Sequence, residues 1–332
     1  MSEVGGLPRH VGHGPSGVPR SEDPPRPHGR YPSRHLRGRV EGMDDTAIEV
    51  ADLRKSYGET HAVAGIDLSI SRGEIFSFLG PNGAGKSTTV EILEGFRHRD
   101  SGTARVLGQD PGTAGRDWRA RIGVVWQKET MAPKIPVRAL VRHFASYYPS
   151  PADPDEVVDR VGLSEKAGAL PEVLSGGQRR RLDVALGIVG RPELLFLDEP
   201  TTGFDPGARR DFWGLVRNLA DGGTTIVLTT HYLEEAEALA DRVCVVARGR
   251  VRALDTPADL GGRSAARAVV SWREDGRRHE VATEEPARVV CEAAARFDGE
   301  VPELTVHRPT LEEIYLGLIA DGAEHDRTEV PA

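Results

Sequence analysis

Apolar residues in this chain alternate between two spacings, and the alternation predicts an α/β fold. Residues 75–79 and 194–197 are continuous apolar runs, which are typical of strands buried on both faces. Shorter runs and period-two alternation predict further strands at 48–53, 66–70, 102–108, 121–127 and 224–230. Helical spacing occurs between them, at 89–95, 137–148, 153–163, 179–190 and 208–219. Strands that alternate with helices along a chain indicate a largely parallel sheet.

The helical patterns divide the chain into parts. Between about residue 128 and residue 190 they follow one another without a strand, which predicts a helical subdomain inserted into a main domain of residues 47–260. After residue 261 come two short strand-like segments, 266–272 and 277–283, and a helix at about 309–319. We therefore expect a small C-terminal α+β extension, 261–320.

The two ends of the chain lack this periodicity. Residues 1–42 are rich in Gly, Pro, Arg and His and contain no apolar stretch that could serve as a secretory signal, so we expect a disordered tail. Met43 directly precedes the first patterned sequence, which suggests it as the true start of translation. Residues 321–332 are expected to form a loose tail.

The segment GPNGAGKST, residues 80–88, predicts a phosphate-binding loop between a strand and a helix. Gly80, Gly83 and Gly85 allow the backbone to fold tightly around a polyphosphate and to direct N–H groups at its oxygens. Lys86 is expected to reach the outer phosphates, and the Ser87 hydroxyl to bind magnesium. A glycine-rich turn that matches by chance is the alternative, and the flanking strand and helix argue against it.

Polar residues lie where other predicted strands end. Gln127 ends the strand at 121–127, Asp198 and Glu199 end the run LLFL, and His231 follows the strand at 224–230. Ligands of parallel α/β sheets bind at the carboxyl ends of the strands. Asp198 is suited to the metal site and Glu199 to the deprotonation of an attacking water. A histidine in such a position is also frequently structural.

Two further features suggest nucleotide contacts. Ser175, Gly176 and Gly177 lie at a predicted helix N-terminus and form a second potential anion site, although an ordinary N-cap turn explains the same residues. Tyr57 is expected in a short polar loop before Gly58, where an exposed ring could stack on a base. A packed edge tyrosine is the alternative.

Composition excludes several classes of protein. A formal net charge of -8 over 332 residues provides no basic surface for nucleic acid, so no nucleic-acid partner is expected. No run approaches the roughly 18 apolar residues that a membrane-spanning helix needs. The two cysteines, Cys244 and Cys291, have no metal-binding spacing and no disulfide framework, which fits a reducing compartment.

In these motifs the sequence resembles the ATP-binding subunits of ABC transporters over roughly residues 48–260. GPNGAGKST matches the Walker A motif, LSGGQ the signature, LLFLDEP the Walker B motif with its glutamate, and TTGFDP the D-loop. Gln127 matches the Q-loop and His231 the H-loop. The resemblance implies a P-loop NTPase fold of the ABC type with a helical subdomain and an antiparallel β subdomain.

The resemblance also implies roles for individual residues. It implies ATP binding by the family's adenine-stacking position and by the Walker A loop, here Tyr57, Gly80, Pro81, Asn82, Gly83, Ala84, Gly85, Lys86, Ser87 and Thr88. It implies Mg²⁺ binding by Ser87, Gln127 and Asp198 and catalysis by Glu199, His231 and Gln127. Subunits of the family pair head to tail, so nucleotide contacts are also implied for Ser175, Gly176, Gly177, Gln178 and Asp205. A homodimer is therefore expected in the ATP-bound state.

Two sequence segments make the resemblance specific to one type of ABC transporter. HYLEEAEALADRV after His231 and PTLEEIYLGL near Thr310 are similar to the daunorubicin-resistance type of bacterial exporter, whose membrane part is a separate polypeptide. This implies export of a drug or antibiotic-like substrate through a polytopic permease subunit, with this chain peripheral on the cytoplasmic face of the cell membrane. Phe204 in the D-loop, where leucine is commoner, and Trp126 before the Q-loop glutamine are small departures from the family pattern.

Other classes of protein remain as alternatives. A soluble ABC ATPase that acts on ribosomes or DNA would need no membrane partner, although such translation factors usually carry two cassettes and the repair ATPases carry long coiled-coil insertions. An importer subunit would share the nucleotide motifs but not the C-terminal phrase. A P-loop GTPase or kinase would leave LSGGQ and His231 without a role.

Overall fold

Twelve strands and nine α-helices form in the part of the chain that the structure describes, residues 45–127, 134–297 and 299–328 of a computed structural model. The strands are β1 (Thr46–Tyr57), β2 (Thr60–Ser71), β3 (Ile75–Leu79), β4 (Ser101–Val106), β5 (Ile122–Val125), β6 (Leu194–Asp198), β7 (Thr225–Thr230), β8 (Arg242–Ala247), β9 (Arg250–Asp255), β10 (Ala268–Glu274), β11 (Arg277–Thr283) and β12 (Thr305–His307). The helices are α1 (Lys86–Leu93), α2 (Arg116–Arg119), α3 (Val137–Ala145), α4 (Pro154–Arg160), α5 (Gly176–Ile188), α6 (Pro206–Asp221), α7 (Leu233–Leu239), α8 (Pro286–Arg296) and α9 (Leu311–Thr328).

A six-stranded sheet in the order β5-β6-β7-β3-β8-β9 carries the predicted site. All its neighbouring strands are parallel except β8 and β9, which form an antiparallel hairpin. Every residue of β3 and β7 is buried, because apolar clusters cover both faces of the sheet. This burial explains the continuous apolar runs, and it leaves the carboxyl ends of the strands as the place where polar side chains can meet.

An antiparallel sheet in the order β2-β1-β4 covers one face of the central sheet. Ile48, Leu53 and Ile66 pack there in one cluster with Phe76 and Phe78 of β3. The hairpin between β1 and β2 has only Gly58 and Glu59 between the strands, so β1 continues as far as Tyr57. The expected polar loop around Tyr57 was therefore wrong, because the strand-pairing register extends to the pair Tyr57 and Thr60.

Helices α3, α4 and α5 pack together and then onto the other face of the sheet, through α5. They lie between β5 and β6, where the sequence predicted an inserted helical subdomain, and they extend from residue 137 to residue 188. Residues 128–133 of the predicted segment lie outside the described residues. The prediction that the preceding strand ends on Gln127 was wrong, since β5 ends at Val125.

The C-terminal residues form a third sheet and a helix that returns to the main sheet. Strands β11-β10-β12 are antiparallel, and Val270 and Trp272 of β10 pack with Val289 of α8. Helix α9 instead packs through Leu311 and its neighbours against β8, because PTLEEIYLGL places apolar residues on one side of the helix. The boundary at residue 261 stays a prediction, but α9 contributes to the core of the cassette.

The expected loose tail from residue 321 differs from the structure. Helix α9 continues to Thr328, and residues 329–332 lie outside the described residues. The expectations for residues 1–42 and for Met43 also lie outside them. All described residues belong to one compact unit, Asp44–Ala332.

Candidate active site

Residues 80–85 form a loop between β3 and α1 that is anchored to neighbouring backbone. A Cβ atom on Gly80 would lie 2.2 Å from the Val246 carbonyl oxygen, and one on Gly85 would lie 2.1 Å from the Ala62 carbonyl oxygen. Gly85 also has φ of 102°, in the left-handed region. Gly249 N–H donates to the Ala84 carbonyl at 2.8 Å. The glycines are therefore required by close backbone approach as well as by any ligand.

Lys86 begins α1 with its ammonium group next to the loop. The side chain is only 4% exposed, and Nζ donates to the carbonyl oxygens of Gly80 at 2.7 Å and Pro81 at 3.1 Å. Burial lowers the pKa of Lys86, while the negative charges of Glu199 and Asp198 act in the opposite direction. Ser87 is exposed in the first turn, and the N-terminus of α1 has no side-chain cap and no acidic residue. These are the features of a helix N-terminus that can accept an anion.

The carboxylate of Glu199 is the meeting point of the predicted catalytic residues. Its Oε2 accepts a hydrogen bond from Gln127 Nε2 at 2.8 Å and from Thr202 Oγ1 at 3.2 Å. His231 Nδ1 lies 3.3 Å from the same oxygen. Glu199 has φ of 41°, a conformation that non-glycine residues rarely adopt outside functional turns. Residues from three separate segments thus converge on one oxygen.

Asp198 and Thr229 support this turn from adjacent strands. The Thr229 hydroxyl donates to Asp198 Oδ1 and accepts from the Glu199 backbone N–H at 3.1 Å. Burial raises the pKa of Asp198, and the Thr229 hydrogen bond opposes that effect. The carboxyl end of β6 therefore presents two acidic side chains near Lys86, and burial disfavours the charge of Asp198 there.

Residues 175–178 cap α5 in the same chain. The Ser175 hydroxyl accepts from Gln178 N–H at 3.3 Å, and Ser175 N–H donates to the Gln178 side chain at 3.1 Å. This is a capping box. A Cβ atom on Gly177 would lie 3.9 Å from the Phe204 ring, so this motif and TTGFDP are neighbours. Asp205 caps α6 by accepting from Gly207 and Ala208 N–H groups, both at 2.9 Å, and these bonds lower its pKa.

The structure therefore separates the predicted site residues into two groups. Gln127, Asp198, Glu199 and His231 join the Lys86 loop at one sheet edge. Within the described ranges, no hydrogen bond or ion pair connects Ser175, Gln178 or Asp205 to Lys86 or Glu199 of the same chain. Tyr57 is 44% exposed, with the Arg97 guanidinium 5.3 Å from its ring centre. The Lys55 ammonium also lies over this ring, 5.7 Å from its centre, so stacking on a base stays a prediction.

Sequence reasoning missed several residues of the site. Thr202 and Thr229 contact Glu199, the buried Glu235 accepts from the Thr201 hydroxyl at 2.8 Å, and Arg180 binds backbone beside the site. For Arg180 the sequence did contain an indication. It lies in the apolar stripe of α5 with the buried residues 184, 185, 187 and 188, and an arginine in such a stripe requires polar partners.

Comparison with known proteins shows the family to which the chain belongs. The family profile described as ABC transporter matches residues 63–202. The daunorubicin resistance ATP-binding protein DrrA3 of Streptomyces coeruleorubidus is 36% identical over 308 residues, which cover 84% of this chain and 98% of that protein. The chain belongs to the ABC transporter family. It is an ATP-binding ATPase of that family and has the fold of an ABC cassette.

Other relatives extend the same pattern. The Nod factor export ATP-binding protein I of Ralstonia nicotianae is 43% identical over 226 residues, covering 66% of this ABC chain and 70% of the relative. The cbiO1 protein of Clostridium perfringens, part of the cbiONQ ABC transporter complex, has a TM-score of 0.61 at 27% identity and covers 77% of this chain and 97% of its own. An ATP-binding cassette solved as a post-hydrolysis dimer with ADP and Pi has a TM-score of 0.57 at 24% identity over 63% and 98% of the two chains, and it supports the fold alone.

Proposed function

We propose that this chain hydrolyses ATP to drive export through a separate membrane subunit, with Glu199 as the general base. The observation that carries the catalytic part is the convergence of Gln127 and His231 on the Glu199 carboxylate, at 2.8 and 3.3 Å. A carboxylate that is held at a strand end by an amide hydrogen bond, with an imidazole beside it, can accept a proton from water. The three groups come from different segments, so only the folded chain assembles them.

The loop at residues 80–88 fits a nucleoside triphosphate. The uncapped N-terminus of α1 and the glycine backbone offer N–H donors, and Lys86 adds a positive charge beside them. When the outer phosphates bind, they replace the two carbonyl partners of the Lys86 ammonium. Tyr57 lies at the adenine-stacking position that the family resemblance implies.

A magnesium ion fits the donor set of this edge. The exposed Ser87 hydroxyl, the Gln127 amide oxygen and the Asp198 carboxylate are hard oxygen ligands of the type that Mg²⁺ prefers. When bound, the ion neutralises charge that develops on the phosphate oxygens. The raised pKa of Asp198 fits a carboxylate whose charge is satisfied by a cation.

The proposed hydrolysis uses these groups. The water oxygen attacks the γ-phosphorus, the bond to the oxygen that bridges the β- and γ-phosphates breaks, and ADP leaves with that electron pair. Glu199 accepts the proton of the water, and the hydrogen bond from Gln127 orients its carboxylate beside His231. Lys86 stabilises the charge on the transferred group. His231 is also placed to contact the γ-phosphate once the carboxylate turns to the water.

We further propose that the active form is a homodimer. Ser175, Gly176, Gly177 and Gln178 lie at the α5 N-terminus, which provides backbone N–H donors for an anion. They do not contact Lys86 of their own chain, so a second copy is the simplest source of a γ-phosphate for them. Asp205 lies in the same neighbourhood and would contribute at that interface. The proposed assembly is based on a cassette of similar fold that was solved as a dimer with ADP and Pi.

The export direction and the cargo rest on the relatives. Similarity to a daunorubicin resistance ATP-binding protein covers 98% of that protein, so it includes the C-terminal residues as well as the cassette. No helix among the described residues is long and apolar enough to cross a membrane. From the names of these relatives we propose a polytopic permease as the partner, a drug or antibiotic-like compound as the cargo, and a peripheral position on the cytoplasmic face. Helices α3 and α4 are the proposed contact surface.

Co-purification tests the transport proposal directly. The full chain is tagged in its native host, the membranes are solubilised in mild detergent, and the bound proteins are identified. We expect a stoichiometric protein with several membrane-spanning segments. Recovery only from the soluble fraction, alone or with ribosomes or DNA, would support the alternative of a soluble ABC ATPase and contradict export.

Lys86→Ala tests the nucleotide site. Loss of a charge-assisted hydrogen bond to phosphate weakens binding by about ten- to a hundredfold. Equilibrium titration with ATP measures the change, and Lys166→Ala, at an exposed position of the helical segment, is the control. Equal ATP affinity in both variants would remove Lys86 from the proposed site.

A further inference from the structure

Arg180 is a buried arginine whose guanidinium binds backbone from two loops of the site. The residue is 8% exposed. Nη2 donates to the Asp198 carbonyl oxygen at 2.7 Å, Nε to the Pro200 carbonyl oxygen at 3.1 Å, and Nη1 to the Trp126 carbonyl oxygen. One side chain of α5 is thus bonded to the segments that follow β5 and β6.

The positions of these carbonyl groups matter for catalysis. Asp198 and Pro200 immediately precede and follow Glu199, and Trp126 immediately precedes Gln127. Arg180 therefore binds the backbone on both sides of Glu199, whose φ of 41° is unfavourable without external support. The planar guanidinium can bond all three carbonyl groups at once because its donors point in fixed, divergent directions.

A purely structural role in an ion pair does not explain this arrangement. The nearest carboxylate partner is Asp183, at 4.0 Å, the limit of an ion pair. The neighbouring arginines on α5 bind elsewhere: Arg181 donates to the Val161 carbonyl oxygen at 3.0 Å and Arg179 to the Pro171 carbonyl oxygen at 3.3 Å, both within the helical segment. Arg180 bonds backbone at the proposed catalytic edge, whereas these two bonds of Arg179 and Arg181 lie within the helical segment.

We propose that Arg180 is a positioning residue that sets the relative position of Gln127 and Glu199 and links both to the N-terminus of α5. The proposal rests on the proposed role of Glu199. Because α5 begins at Gly176, directly after Ser175, about one turn of helix separates the signature segment from Arg180. A movement of that segment therefore reaches the Glu199 turn through this helical turn and one guanidinium. Binding of nucleotide to the LSGGQ segment would therefore change the position of Glu199, although the segment and Glu199 do not touch.

The first experiment separates turnover from binding. Arg180→Lys keeps the charge but cannot bond three divergent carbonyl groups, and Arg180→Met removes the charge. We expect kcat to fall about tenfold and about a hundredfold, respectively, while KM for ATP changes less than about threefold, because misplaced catalytic groups lower rate rather than binding. Arg181→Lys, one residue further along α5, is the matched control and should retain the kcat of the parent chain.

Hydrogen exchange provides a readout that does not depend on activity. In Arg180→Lys, amides in the segment 198–202 should exchange faster than in the parent chain, whereas Arg181→Lys should leave that segment unchanged. Unchanged exchange together with unchanged kcat in Arg180→Lys would overturn the proposal. If Arg180→Met does not fold, the lysine variant still decides the question.

A double-mutant cycle identifies the route of the effect. In a Glu199→Gln background, where a long incubation with labelled ATP measures residual turnover, Arg180→Lys should change the rate less than about twofold. A full tenfold loss in that background would show that Arg180 acts independently of Glu199 and would overturn the proposal. If Glu199→Gln alone hydrolyses ATP normally, the proposed role of Glu199 as general base fails. Hydrogen exchange then still tests whether Arg180 stabilises the backbone of residues 198–202.

Discussion

The two ends of β6 each carry a glutamate, and the two glutamates have opposite surroundings. Glu193 precedes the strand and accepts from Arg121 Nε at 2.5 Å and from Arg72 Nη1 at 2.7 Å. Glu199 follows the strand and contacts an amide, an imidazole and a hydroxyl. The hydrogen bonds of the arginines lower the pKa of Glu193 to about 2, whereas burial raises the pKa of Asp198 at the other end.

This difference distinguishes a structural acid from a reactive one. At Glu193 two guanidinium groups compensate the charge, so the carboxylate stays ionised and joins β2, the start of β5 and β6. At the other end, no arginine among the described residues forms an ion pair with the side-chain carboxylate of Asp198 or of Glu199. Carboxylates that remain poorly compensated can accept protons and cations, which is the property a hydrolytic site needs.

Exchange of each glutamate for glutamine should give the largest contrast. Glu199→Gln removes the proposed base, so turnover should fall by about 10²- to 10⁴-fold while ATP still binds and the dimer persists. Glu193→Gln is the matched control at the other end of the strand and should retain parental turnover. Steady-state ATPase assays measure both variants, and equal rates would remove Glu199 from its role.

The neighbouring strand β7 shows the same contrast between a residue at the proposed site, Thr229, and a structural residue at the other end, Thr225. Thr229→Val removes the hydroxyl that bonds Asp198 and the Glu199 N–H, so turnover should fall about tenfold. Thr225→Val removes an acceptor of the Gly73 N–H at 2.9 Å and should lower the free energy of unfolding by about 1 kcal/mol without changing turnover. The same effect of both variants on turnover would contradict the division of roles.

Asp198→Asn should stabilise the fold while it abolishes metal-dependent turnover. Because burial raises the folded-state pKa of Asp198 above its unfolded value, the ionised form costs folding free energy at neutral pH. The neutral amide avoids this cost, and we expect a gain of about 1 kcal/mol. Urea unfolding without nucleotide measures it. A loss of stability would indicate that the ionised carboxylate is well compensated in the free protein.

Glu193→Gln should have a small effect that is confined to acid. The folded-state pKa of Glu193, about 2, lies below its ordinary value of 4.5, so its contribution to stability is fully present above pH 4.5 and is lost as the pH falls towards 2. Water screens the partly exposed pairs, so the contribution at neutral pH is about 1 kcal/mol or less. The unfolding midpoints of the parent chain and of Glu193→Gln should converge as the pH is lowered from 6 to 3. Parallel curves would exclude Glu193 as the titrating group.

Some elements could be predicted from local pattern because local pattern is sufficient for them. The bounds of β3, residues 75–79, and the helix beginning at Lys86 follow from an apolar run and a glycine-rich turn. Gln127, Glu199 and His231 could be grouped because carboxyl ends of parallel strands share an edge. The spacing of apolar residues does not show where strand pairing stops. For this reason Tyr57 was wrongly predicted in a loop, and Gln127 was wrongly predicted at the end of a strand.

The sequence by itself determined the class of fold, the loop between β3 and α1 and the grouping of Gln127, Glu199 and His231 at one sheet edge, since spacing and residue chemistry are sufficient for these. Only the tertiary structure decided that Arg180 binds both sides of Glu199, that Glu235 is buried against Thr201, and that α9 packs on β8. These contacts join residues far apart in the chain. Their formation depends on which backbone groups remain unpaired when the layers pack, and that is a property of the folded molecule.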